Sequence, residues 1–254
     1  MKFFVTSDIH SFFDIFHKSL IDAGFDENNE EHYLIVCGDY FDRGPQSREV
    51  MDYLMKLPRK ILIKGNHEDL AEDLIKRRYP YDYDIQNGTV STVLQFNGVK
   101  QTNIEHFPPM VDKFAEETKE FLSSLVNYFE TENYVFVHGW IPTITLTLYE
   151  KMEKKSTHYK YMHDWRDATE DEWFDARWLC PVQMYKEKLT IPDKTIVCGH
   201  WHTSAAHYYL HGNGTEWGKD AIFAPFYDKG IIMIDAGTTY SGTCNVIVLE
   251  DEII

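Results

Sequence analysis

The sequence predicts an α/β fold in which short buried strands form a sheet crossed by helices. Three observations predict it. Five apolar runs, at 2–6, 33–37, 60–64, 134–137 and 195–198, are rich in β-branched or aromatic residues, as buried strands are. Each run ends in a short polar segment, most of which carry glycine. Between the first three runs lie helix-patterned stretches, and strand–helix–strand alternation implies parallel strands with crossover helices.

Taken in order, residues 2–6 lead into Ser7-Asp8-Ile9-His10. Residues 12–23 then space their apolar side chains as a helix does and stop at Gly24. Residues 33–37 run into Gly38-Asp39, and the amphipathic stretch 48–57 is closed by Pro58. Residues 60–64 run into Gly65-Asn66-His67-Glu68, followed by a helical continuation over 69–78 and a tyrosine-rich irregular stretch over 79–84. A further helix is expected over 112–129. The fourth and fifth runs end in His138-Gly139 and in Gly199-His200-Trp201-His202. The tail returns to strands at 230–235 and 245–249, with Gly237 and Gly242 marking the turn between them.

No linker or low-complexity segment divides the chain, so 1–254 reads as a single domain. The stretch 69–130 reads as a helical insertion. A second excursion, 143–192, holds His158, Asp164, Trp165, Trp173, Arg177 and Trp178, and reads either as a lid or as a packed subdomain.

Composition removes several function classes. With 41 acidic against 25 basic residues, the chain has a formal charge of −16. It therefore lacks the basic footprint that holds a nucleic-acid backbone, and an anionic membrane surface would repel it. An acidic protein that acts on anionic substrates needs a local source of positive charge, which a metal site supplies. The four cysteines, Cys37, Cys180, Cys198 and Cys244, form no CxxC pair, which fits a reducing cytoplasm better than a disulfide framework. The residues from Met1 to Val5 show no signal-peptide pattern, and the expected location is cytoplasmic.

The chemistry gathers at the strand ends. Asp8 and His10 are two apart and so point to one side, where a carboxylate and an imidazole can share a divalent metal. Gly38-Asp39-Tyr40-Phe41-Asp42-Arg43-Gly44 is far more specific, with five fixed positions that would recur by chance in roughly one such chain in several thousand. A turn explains its glycines but not an Asp followed by Arg. Asn66 offers a neutral oxygen to a metal, or else caps a helix. His138, His200 and His202 add three imidazoles, whereas His17, His32, His106, His207 and His211 end no such run and read as structural. All five strand ends thus carry metal-ligand chemistry.

In this order the motifs resemble the calcineurin-like metallophosphoesterase superfamily. Within it, Gly38–Gly44 and Gly65–Glu68 look like the PPP-type serine/threonine phosphatases and the bacterial diadenosine tetraphosphatases. The resemblance runs from residue 8 to residue 202 and implies a sandwich of two mixed β-sheets flanked by helices. It implies two divalent metal ions, manganese foremost, with iron or zinc as others. Asp8, His10 and Asp39 would bind the first and Asp39 would bridge to the second, which Asn66, His138 and His200 would complete. Arg43 would hold phosphate oxygens, and His67, oriented by Asp42, would be the general acid. Arg177, with Arg166 behind it, is the expected second phosphate clamp, a surface salt bridge being the other reading.

Two positions depart from the PPP pattern. Trp140 stands where a second glycine follows the His-Gly, and His202 follows His200 by two residues. A Gly-His-x-His ending is usual in the wider superfamily, which assigns His202 to the first metal. The expected activity is hydrolysis of phosphomonoesters by direct attack of a metal-bridging hydroxide, that of a serine/threonine protein phosphatase-like enzyme first, on a phosphorylated protein or a small phosphoester. Hydrolysis of diadenosine tetraphosphate or another nucleotide is the alternative within the same chemistry. A non-catalytic metal-binding scaffold is the alternative outside it.

Overall fold

A computed structural model of the chain describes residues 1–150, 154–161 and 164–253, so parts of the excursion 143–192 lie outside the described residues. Two mixed sheets face each other. The first has the order β11 (Ile247–Glu250), β1 (Lys2–Thr6), β2 (His32–Cys37), β3 (Lys60–Ile63). Its last three are parallel, and β11 is antiparallel to β1. The second has the order β4 (Phe129–Glu130), β5 (Tyr134–Phe136), β8 (Thr195–Cys198), β10 (Ile231–Met233), β9 (Phe226–Asp228). Here β5, β8 and β10 are parallel, and the edge strands run against them. A separate antiparallel ladder pairs β6 (Thr143–Glu150) with β7 (Lys154–Tyr161).

The two-residue period of a strand decides which core each side chain joins. Phe3, Val5, Ile35 and Cys37 meet Phe136, Val197 and Ile232 between the sheets. Their neighbours Phe4, Leu34 and Val36 face the other way, onto α1 (Phe13–Asp22), α2 (Ser47–Lys56), α3 (Asn66–Arg77), α5 (Thr89–Phe96) and α6 (Phe107–Ser123). The outer face of the second sheet is covered by α7 (Glu170–Arg177), α8 (Pro181–Lys186) and α9 (Thr203–His211). Trp165 and Trp173 are buried there beside Trp140, so residues 165–184 contribute to a core.

Two local expectations are revised. The tyrosine-rich stretch leads into α4 (Asp82–Asn87), because the Asp84 carboxylate accepts the Tyr81 amide at 2.6 Å and closes the first turn. The helix expected over 112–129 is α6, which begins earlier because Pro108 and Pro109 suit a first helical turn. It ends at Ser123 because Val126 exchanges backbone hydrogen bonds with Leu62 and Lys64, extending strand pairing instead. A short helix, α10 (Thr238–Ser241), fills the turn between the closing strands. Among the described residues no helix is long and apolar enough to cross a membrane.

Candidate metal centre

Parallel strands bring their carboxyl ends to one edge of a sheet, and here six of them, from two facing sheets, do so. The loops after β1 and β2 are laced together by Asp8 N to Gly38 O (3.1 Å), His10 N to Asp39 O (3.0 Å) and Ser11 N to Tyr40 O (2.8 Å). Glu68, from the first turn of α3, ties in the third loop: its carboxylate accepts the amides of Gly65, Asp39 and Tyr40, each at 3.0 Å. Its burial pushes its carboxyl up to about 7, against those three donors.

The backbone is strained where the polar side chains converge. Asp8, His10, Ser11, Asp39, Asp42, Arg43 and His200 all have left-handed φ, between 48° and 72°. Each such residue costs about 1–2 kcal/mol, and strain of this kind gathers where side chains must be aimed for function. Glycine is required beside them. A Cβ at Gly199 would stand 2.2 Å from Asp8 Oδ2, and one at Gly65 would stand 2.3 Å from Asp39 Oδ1.

Asp39 is the centre of the arrangement. Its Oδ2 lies 3.6 Å from His10 Nε2 and 3.8 Å from His67 Nε2, while its Oδ1 lies 3.3 Å from His138 Nε2. Two groups therefore have donor atoms within 4.8 Å of one another: His10, Asp39 and His67, and Asp39, His138 and His200. Asn66 joins the second group, its Oδ1 being 2.8 Å from His138 Nε2 and 3.0 Å from His200 Nδ1. Asp8 lies at the side, with Oδ2 accepting the His200 amide at 3.0 Å.

The protonation pattern suits cations. His138 Nδ1 is 2.7 Å from the Cys37 carbonyl and His10 Nδ1 is 3.0 Å from the Phe41 carbonyl, and a carbonyl can only accept. Each ring thus donates from Nδ1 and turns the lone pair of Nε2 inward. For His138 that lone pair faces the Asn66 oxygen, an acceptor against an acceptor, which a shared cation would satisfy. Burial holds His10 and His138 well below the usual histidine range and His200 down at about 4, so all three are neutral at pH 7. Burial, and then their mutual repulsion with other acids, pushes the carboxyls of Asp8 and Asp39 well up. Such a pair of buried carboxylates calls for compensating positive charge.

His67 forms a second feature. Its Nδ1 lies 2.7 Å from Asp42 Oδ2, and its Nε2 lies 3.1 Å from Arg43 Nη2. Since a guanidinium only donates, Nε2 accepts there and Nδ1 donates to Asp42. The fully buried Asp42 also accepts Thr89 Oγ1 at 2.8 Å and Thr92 Oγ1 at 2.7 Å. Both threonines come from α5, within the stretch that carried no motif. Thr92→Val should cost about 1.5–3 kcal/mol in urea unfolding, the range for hydrogen bonds to a charged group. A cost below about 0.5 kcal/mol would show that Asp42 is held without it.

Other expected residues lie outside the two tight groups. His202 directs Nε2 to within 3.4 Å of Glu216 Oε1 and packs its ring 4.1 Å from Trp217, outside both tight groups. Arg177 is buried and each of its side-chain nitrogens is engaged, by Asp69 at 2.6 and 2.9 Å, Asn127 at 2.7 Å and Glu170 at 2.7 Å. It is neither a surface ion pair nor free to meet a phosphate. Arg166 pairs with Glu130, with Nε at 2.7 Å. Trp140 is core, its amide bonded to Ala176 O at 3.0 Å.

Asp235 is the residue that sequence reasoning passed over. It follows β10, is buried near Asp8, and its carboxyl is pushed up to about 6 by that burial. The signal was present, since Ile231–Met233 leads into Asp235-Ala236-Gly237 as the other runs lead into their polar ends.

Residues 1–204 match a family model described as calcineurin-like phosphoesterase. A symmetrical bis(5'-nucleosyl)-tetraphosphatase of Buchnera aphidicola subsp. Acyrthosiphon pisum (strain Tuc7) is 36% identical over 69 residues, which are 27% of this chain and 24% of that protein. The corresponding protein of Buchnera aphidicola subsp. Schizaphis graminum (strain Sg) is 38% identical over a match of the same length and share. These matches span about a quarter of the curated relatives' length. Among solved structures, one provisionally described as a diadenosine tetraphosphatase superposes with a TM-score of 0.54 at 16% identity, covering 98% of this chain and 89% of that one. A cold-active protein-tyrosine phosphatase of a psychrophilic Shewanella gives 0.52 at 15%, covering 98% and 75%. At such identities the likeness is one of fold.

Proposed function

The chain belongs to the calcineurin-like phosphoesterase family, and on that premise we propose that it hydrolyses phosphate esters at the cluster centred on Asp39. The observation that carries this reading is the sharing of one carboxylate between two groups of imidazoles, among which burial keeps His10, His138 and His200 neutral. Asp8, His10 and Asp39 would hold one divalent ion, with His202 assigned to it by family resemblance. Asp39, Asn66, His138 and His200 would hold the other. Imidazole, carboxylate and amide donors suit manganese, iron or zinc, and manganese is the first choice. Two ions bound there would lower the pKa of water from 15.7 toward ~7 and so supply a nucleophile at neutral pH.

The chain's own groups then divide the remaining work. Arg43 binds the equatorial oxygens of the phosphate through its forked donors. When Arg43 turns from His67 Nε2 onto those oxygens, the freed lone pair can take up a proton from solvent, and Nε2 then passes that proton to the leaving oxygen. Asp42, held by Thr89 and Thr92, keeps the ring oriented through Nδ1. Phosphate clamping is assigned to Arg43 alone, because every nitrogen of Arg177 already has a partner.

Two substrate readings have support. The motifs Gly38–Gly44 and Gly65–Glu68 favour a serine/threonine phosphoprotein. The 69-residue match to the curated tetraphosphatases favours a dinucleoside polyphosphate. Turnover of a phosphopeptide against diadenosine tetraphosphate separates them. Hydrolysis of p-nitrophenyl phosphate should vanish when the protein is stripped with a chelator and return with Mn²⁺. Hydrolysis indifferent to both treatments rejects the two-metal reading.

A further inference from the structure

A cleft of about 360 Å³ opens directly beside the metal-centre residues. Its polar lining includes Arg43, His10, His200 and the buried Asp235. Its walls are aromatic: Trp201, Trp217 and Tyr240 all line it and are 37%, 47% and 72% exposed. Trp217 meets the Tyr240 ring at 4.9 Å edge-on and lies 4.1 Å from the His202 ring, which stacks in turn near Trp201 at 5.9 Å. Gln86, Asn87 and Thr239 line it as well, Asn87 with one amide hydrogen already given to Tyr83 O at 2.9 Å.

Three large rings left in water around one cleft are not core residues, since burial is what core aromatics gain from packing. The ring centroids of Trp201 and His200 are 6.2 Å apart, so the aromatic walls adjoin the place where a phosphate would bind. Glu216 is already committed, to His202 at 3.4 Å and to the Tyr209 hydroxyl at 2.6 Å. A ligand is therefore wanted that is anionic at one end, flat and aromatic at the other, and edged with both donors and acceptors to meet primary amides. A nucleoside phosphate has all three properties.

We propose that the Trp201–Trp217–Tyr240 cleft is a nucleobase subsite that selects nucleoside phosphates as substrates of the adjoining centre. The inference rests on the phosphoester-hydrolase reading of that centre. A second cleft near His200, of about 530 Å³, has aromatic residues too, in Tyr83, Phe174 and Trp178. Its carboxylates, Asp69, Glu72 and Asp73, are already paired with Arg177, Lys64 and Arg77, and neither Arg43 nor a residue of the proposed ion-binding set lines it, so it lacks the phosphate-binding end that the first cleft has.

The test uses the full, Mn²⁺-loaded chain with ATP, phosphotyrosine and glycerol 2-phosphate as substrates, and adenosine as a binding probe followed by tryptophan fluorescence. Stacking on one ring corresponds to about tenfold in affinity or more. Trp217→Ala should therefore lower the ATP-to-glycerol-phosphate selectivity about tenfold, through KM, and weaken adenosine binding as much. Trp217→Phe, which keeps a ring, should restore most of both. Unchanged selectivity overturns the proposal. So does an equal fall for phosphotyrosine, which would make the cleft a holder of any aromatic ring. A parent that hydrolyses none of the three substrates removes the catalytic reading instead, and adenosine binding that depends on Trp217 would then still support the base subsite.

Discussion

Asp39→Asn is expected to abolish hydrolysis of p-nitrophenyl phosphate, by at least about 10³-fold, while the protein stays folded. One carboxylate serves both imidazole groups, so the substitution removes a shared charge from both at once. The amide keeps the volume and still offers an oxygen to the His67 amide, which now reaches Asp39 Oδ1 at 3.1 Å. The ion-free protein should even gain stability. Burial first, and then the charges of Asp8 and Glu68, disfavour an ionised Asp39, so removing its charge relieves a cost that the parent carries above the ordinary carboxylate pKa. The expected signature is a raised melting temperature without metal, no activity with metal, and fewer than two ions bound by elemental analysis. A variant that still takes up two ions and turns over within tenfold of the parent would move the chemistry away from Asp39.

His67→Asn should cost about 10²–10⁴-fold on an alkyl phosphate and much less on an aryl phosphate, whose leaving group needs no proton. Two roles compete for this residue. Its Nδ1 contact with Asp42 at 2.7 Å is that of an oriented acid. Its Nε2 also lies within the first donor group, 3.8 Å from Asp39 Oδ2, where it could bind an ion instead. The two roles predict different data. An acid lost from an intact centre leaves the metal content unchanged and splits the substrates by leaving group. A ligand lost from the centre lowers the metal content and slows both substrates alike.

The strand ends were readable because strand and polar turn are both local properties. Residues 195–198 are a strand in the structure with those same limits, since a β-branched run between turn residues has little else to do. The mixed sheets expected from the family motifs are present, with β11 and the second sheet's edge strands supplying the antiparallel members. Helix ends were less readable, because α6 is cut short by backbone pairing of Val126 with residues 62 and 64, some sixty positions away. Asp235 was missed although its run ends in a polar turn like the others, because in the tail that turn reads equally as the link between two closing strands.

By itself the sequence determined the chemical inventory: which side chains stand at the ends of which strands, and that they are oxygen and imidazole donors with a guanidinium among them. That much depends on periodicity of two and on turn residues, both of which act over a few positions. Only the tertiary structure decided how those groups are partnered. It turned His138 and His10 lone pairs inward through carbonyls on another strand's loop, and hung Asp42 from two threonines of α5. It also drew Arg177 into a buried pair with Asp69, 108 positions away, and gathered Trp201, Trp217 and Tyr240 around one cleft. Such pairings follow from how two sheets and their helices pack, and side chains that distant in the chain share no local pattern to announce them.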